Sequence, residues 1–80
     1  MEPEEIRQLI ADGLTCEEVS VSGDGRHFEA VVVSPDFEGK ASLARHRMVY
    51  ATLGDRFDTD VLHALALKTY TPAQWRELGS

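Results

Sequence analysis

Few side chains in this sequence are equipped for chemistry. Among 80 residues there are three histidines, His27, His46 and His63, and one cysteine, Cys16. Imidazole titrates near neutral pH and is a good ligand for iron, copper and zinc, so the histidines are the first candidates for a site. A lone cysteine can form neither an internal disulfide nor a paired-cysteine zinc knuckle. Glu17 and Glu18 adjoin Cys16, and nearby carboxylates disfavour a thiolate, so the thiol reads as a small packing residue rather than a nucleophile. The chain has no Gly-rich phosphate loop, no His-Glu-x-x-His and no Gly-x-Ser-x-Gly, and the expectation is a protein that is not an enzyme.

Charge narrows the choice of partners. Eight Lys+Arg stand against 14 Asp+Glu, a net charge of −6, which opposes non-specific contact with phosphate backbones. The negative charge is uneven: Gly39 to Gly54 contains Lys40, Arg45 and Arg47 and no acidic residue, a local +3. Two readings stand, a solvated helix face with ordinary ion pairs, or a docking surface for an acidic partner or nucleic acid. His46 lies between the two arginines and reads as a packed structural histidine. His63 is flanked by Val61, Leu62, Ala64 and Leu65 at the start of an apolar stretch, a place where a histidine is ordinarily hydrogen-bonded in position.

The elements that must position these groups follow from periodicity. Ile6, Leu9, Ile10 and Leu14 recur at helical spacing over residues 3–13, with Pro3 in the first turn, Glu4 and Glu5 at the positive dipole end, and Gly13 as terminator. Val19 and Val21 alternate with polar residues as in a half-buried strand, and Asp24-Gly25 suits a tight hairpin. Phe28 to Val33 is a second strand, closed by Ser34-Pro35-Asp36. From Lys40 to about Phe57, Leu43, Tyr50, Leu53 and Phe57, with His46 between, step along one helical face, with Gly54-Asp55 as a possible end. Val61 to Tyr70 suits a third strand, because two strands alone make an unstable sheet. Thr71-Pro72-Ala73-Gln74 is a capping box that opens a short last helix.

This order, α-β-β-α-β-α, makes a hairpin followed by a crossover, hence a three-stranded mixed sheet. With one sheet, the helices are expected on one face in an α+β two-layer sandwich, a single domain over residues 1–80. Parallel pairing of the second and third strands would put their starts, near His27 and His63, at the same end of the sheet. By size scaling the folded chain should expose ~5,000 Å² and bury about 60% of its extended surface, a thin core. No apolar run reaches the ~20 residues of a membrane span, and Met1 to Glu5 is acidic where a signal peptide is basic, so no membrane partner and a cytoplasmic location are expected.

Four stretches together carry a resemblance that covers nearly the whole chain: Val19 to Phe28 (VSVSGDGRHF), Val33 to Gly39 (VSPDFEG), Arg45 to Tyr50 (RHRMVY) and His63 to Trp75 (HALALKTYTPAQW). The sequence resembles the BolA family, nearest to its short, acid-stress-associated branch. The resemblance implies a class II KH-like fold. It also implies a monothiol glutaredoxin as partner, with a [2Fe-2S] cluster shared between the two proteins and glutathione and not held by this chain alone. His63 matches the family's histidine ligand. Histidine in place of thiolate raises a cluster's potential. Many members carry a cysteine or histidine in the loop between the first two strands. Here that loop offers Asp24, a harder donor, and His27 just after it is the better substitute. The resemblance further implies a second tradition, transcriptional regulation through DNA contact, for which Lys40, Arg45, His46 and Arg47 are the matching region. Against that stands the absence of a Gly-x-x-Gly loop between the helices. The free protein is expected to be a monomer or weak dimer.

Overall fold

A computed structural model describes residues 2–24, 26–54 and 64–79. Helix α1 (Pro3–Gly13) begins with proline and two acidic residues in its first turn, and is followed by strands β1 (Glu18–Gly23) and β2 (Phe28–Val33). A 3-10 turn (Pro35–Phe37) leads to α2 (Ser42–Leu53), then β3 (Leu65–Tyr70) and α3 (Pro72–Leu78). The sheet order is β1-β2-β3. β1 and β2 pair antiparallel from Glu18↔Val33 to Gly23↔Phe28, and β2 and β3 pair parallel from Phe28↔Leu65 to Val33↔Tyr70. The mixed sheet and the element order expected from the sequence are therefore present.

Strand alternation decides which side chains reach the core. Phe28, Ala30 and Val32 of β2 and Leu65 of β3 are buried on one face, under Ile6 and Ile10 of α1 and Val49 and Leu53 of α2, with Phe37 of the 3-10 turn closing one side. The accessible surface is 5059 Å², close to the scaling value. So few buried residues make each one costly to trim.

Four local expectations change. The tight turn is displaced from Asp24-Gly25: Gly23 still pairs with Phe28 and the Asp24 N–H donates to the His27 carbonyl at 3.2 Å, so Asp24 and His27 flank the hairpin turn and Asp24 is not at its centre. Gly13 ends α1 without a left-handed backbone; a Cβ there would lie 2.6 Å from Thr52 Cγ2, so its smallness serves the close approach of α1 and α2. Gly54, at φ 61°, is the left-handed residue that caps α2, which begins at Ser42 rather than Lys40. Leu43 does not face the core: it is 63% exposed, and Val49 takes the central buried position. The apolar residues of α2 are spread around most of its circumference, so spacing alone does not select the face; contact with the sheet and α1 does. The sequence-based extension of α2 to Phe57 and the start of the third strand at Val61 lie outside the described residues.

The reassigned face has a measurable consequence. Val49→Ala should lower stability in urea unfolding by roughly 2 kcal/mol, through lost burial and the cavity left behind, whereas Leu43→Ala should stay within about 0.5 kcal/mol of the parent.

Candidate functional site

The parallel pair places the hairpin beside the entry to β3. The Phe28 N–H donates to the Ala64 carbonyl at 2.9 Å, so the residue after His27 is bonded to the residue after His63 in the sequence. His63 itself lies outside the described residues. Around this junction Ser22, Gly23, Asp24, His27, Glu29 and Ala64, with neighbouring strand residues, line an open groove of about 480 Å³.

His27 is exposed at this groove, and among the described residues its ring nitrogens have no hydrogen-bond partner. The backbone on either side is fixed. Asp24 Oδ1 accepts from the N–H groups of Arg26 and His27, both at 2.9 Å, an Asx-type turn that ties the loop to its own first residue. These backbone donors, that of His27 foremost, hold the Asp24 carboxyl below its ordinary range. Gly23 belongs to the same device: a Cβ there would sit 2.5 Å from the His27 carbonyl oxygen and 2.6 Å from Phe28 Cδ1. The sequence suggested Asp24 as a donor atom; its fold role is to shape the loop that presents His27.

Cys16 is remote. It precedes β1 at the end opposite the hairpin, beyond a six-residue strand that itself rises about 17 Å from Glu18 to Gly23. Its thiol pKa is raised, as the sequence indicated, but by burial first and then by Asp36, and not by the adjacent Glu17 and Glu18. Among the described residues no three His, Cys, Asp or Glu side chains gather as a metal site. The donor chemistry at the groove, a free imidazole with no thiol nearby, fits a partial ligand set completed from outside the chain.

The basic region divides. Arg45 points into the structure: Nε donates to the Lys40 carbonyl at 2.8 Å, Nη1 donates to the Thr69 carbonyl at 3.3 Å and to Gln74 Oε1 at 3.0 Å, and the guanidinium lies 5.8 Å from the centre of the Phe37 ring. Gln74 Oε1 also accepts from the Thr71 N–H, and the Gln74 N–H donates to Thr71 Oγ1, completing the capping box the sequence indicated. Arg45 thus joins α2, β3 and α3. Lys40 and Arg47 are exposed, and His46 is half-buried on α2. A second tie was missed by sequence reasoning. Ser34, fully buried, donates from Oγ to the Thr15 carbonyl and accepts there from the Asp36 N–H, while Asp36 Oδ2 accepts from the Thr15 N–H. The Ser-Pro-Asp signature marked a turn but could not name Thr15 as its long-range partner.

A hairpin continued by a β-α-β crossover, with the order α-β-β-α-β-α, defines a small α+β domain with a three-stranded mixed sheet. Residues 11–74 match the BolA-like protein family, and the chain belongs to that family. It is 37% identical over 75 residues to the acid stress protein IbaG of Escherichia coli K12, covering 94% of this chain and 89% of that one. It is 49% identical over 57 residues to the DNA-binding transcriptional regulator BolA of the same bacterium, covering 71% of this chain and 53% of that protein. The structure of a bolA homologue from Coxiella burnetii superposes with a TM-score of 0.81 at 49% identity, over 95% of this chain and 97% of that one. These relatives are named as a stress protein and a regulator. No helix among the described residues is long and apolar enough to cross a membrane.

The loop geometry predicts a pH signature. Because the folded state lowers the Asp24 pKa, its cap stabilises above the ordinary carboxylate pKa and is lost as pH falls through the lowered value. Asp24→Ala should therefore lower the Tm at pH 7, with the gap to the parent narrowing below about pH 4; Asp24→Asn, which keeps an acceptor oxygen, should lose less. A gap equal at pH 7 and pH 3 in thermal unfolding would refute the carboxylate cap.

Proposed function

We propose that this protein is an iron-sulfur trafficking or regulatory adaptor that binds a monothiol glutaredoxin and contributes histidine to a [2Fe-2S] cluster shared with that partner and glutathione. The observation that carries this reading is the exposed His27 imidazole, without a hydrogen-bond partner among the described residues, in an open groove that begins at Ala64, next in sequence to His63. His63 in the family-matching stretch, with His27, is the ligand pair this chain would offer. Thiolates from the partner and glutathione would complete the set, and mixed imidazole–thiolate ligation gives a cluster of raised potential. Membership of the BolA-like family supports the reading. Cys16, at the far end of β1 with its raised pKa, is poorly suited to contribute.

Reconstituting the cluster with a glutathione-loaded monothiol glutaredoxin tests this directly. Adding the protein should change the visible circular dichroism of the cluster, His63→Ala should remove that change, and His27→Ala should weaken it. A spectrum identical with and without the imidazole at position 63 would rule out His63 as a ligand.

The name of the Escherichia coli relative supports a second reading, a DNA-binding regulator acting through the basic helix. With Arg45 engaged internally, Lys40 and Arg47 are the exposed cations of that stretch. Two phosphate contacts would give a slope no steeper than about −2 in a plot of log affinity against log salt. A flat salt dependence, or no binding near physiological salt, would remove this reading.

A further inference from the structure

The fold treats the two arginines of α2 differently. Arg45 is bonded inward, whereas Arg47 is exposed and among the described residues makes no ion pair or hydrogen bond through its side chain. Leu43, Arg47 and Ala51 follow one another at four-residue spacing and are all exposed, so they form one ridge along the solvent side of α2. Leu43, at 63%, is the most exposed large hydrophobic residue among those described. Ala51 is also shared with an adjoining groove of about 490 Å³, lined by Gly13, Leu14, Met48, Ala51 and Thr52, in which no residue is ionisable.

Charge around this strip is one-sided. Lys40 is exposed just before α2, and residues 39–54 contain no Asp or Glu although the chain has 14. Across the groove, α1 presents an exposed carboxylate, Asp12, beside Gly13.

We propose that the Leu43–Arg47–Ala51 ridge and its groove dock an acidic amphipathic helical segment of a protein partner. The segment's apolar side chains lie in the groove over Ala51, Met48 and Leu14, its carboxylates meet Arg47 and Lys40 along the ridge, away from Asp12, and Leu43 adds apolar contact at the ridge's first turn. A peptide suits this surface better than nucleic acid on two grounds. The inward turn of Arg45 leaves two cations, too few for a phosphate track, and phosphate gains nothing from an exposed leucine and a half-buried methionine. The surface shares no residue with the hairpin groove, so this inference is independent of the cluster reading.

Fluorescence anisotropy with the full chain provides the test. The probe is a labelled helix-forming peptide of about 15 residues, with leucines on one face and glutamates along one flank; a lysine-for-glutamate counterpart and a short DNA duplex are the comparisons. At about 0.1 M salt the glutamate peptide should bind about tenfold more tightly than the lysine peptide. Arg47→Glu should reverse that order, and Leu43→Ser should weaken the glutamate peptide about fivefold without reversing it. Both sites are exposed, and far-ultraviolet circular dichroism of each variant checks that the fold is kept. Equal affinity for the two peptides, no effect of Arg47→Glu, stronger binding of the duplex, or no binding of the glutamate peptide would each overturn the proposal.

Discussion

The parallel pairing of β2 with β3 is the constraint on which the rest of this structure depends. An antiparallel neighbour needs only a short turn, but a parallel one obliges the chain to return along the whole sheet before it can pair. That return is α2, and its passage over the sheet supplies Val49 and Leu53 to the core. The same pairing fixes where β3 starts. With Phe28 bonded to Ala64 and Phe28 opposite Leu65, the hairpin loop and the entry to β3 share one end of the sheet. The candidate site is thus a product of strand topology, assembled from segments almost 40 residues apart in sequence.

A chain of this size has little apolar area with which to hold its last helix. α3 has seven residues, too few to be stable alone in water. Its retention rests on polar ties as well as on packing: the Thr71–Gln74 capping box, the Arg45 bonds to Gln74 and to the Thr69 carbonyl, and a Tyr70–Trp75 ring contact at 5.6 Å. Ser34 and Asp36 play the equivalent part at the same end of the sheet, binding the linker before β1 to the turn after β2. In both places a charged or hydroxyl side chain satisfies backbone carbonyls that strand and helix ends leave open, which a small core cannot do with apolar contacts. The cost falls on function, since an arginine bonded in this way is withdrawn from any surface role. The cationic stretch counted from the sequence is therefore smaller on the surface than in the chain.

Much of the fold was legible in the residues. Period-2 alternation around Val19 and Val21, the valine run from Val31 to Val33, and the capping box at Thr71 to Gln74 each encode their element through contacts a few residues apart. The face of α2 was not legible, because apolar residues lie around most of that helix and burial was settled by partners distant in sequence. Nor was the reason for Gly13, which serves Thr52 on another helix, or the fate of Arg45, whose three acceptors include two, Thr69 and Gln74, that lie more than 20 residues away. At the site, the neighbourhood of the second strand's start and the third's was deducible from topology. That Asp24 shapes the loop, leaving the His27 ring nitrogens without a partner among the described residues, was not.

By itself the sequence determined the order of elements, the family, the uneven charge and a histidine-bearing, thiol-poor set of donors, because propensity, capping and composition act locally or by simple count. Only the tertiary structure decided which donors and cations reach a surface. Parallel pairing brought the hairpin to the start of β3, and bonds to the Lys40 and Thr69 backbone carbonyls and to the Gln74 side chain drew Arg45 inward while leaving Arg47 in solvent. Such choices depend on the distances and hydrogen-bond geometry of groups far apart in the chain, which no local pattern records.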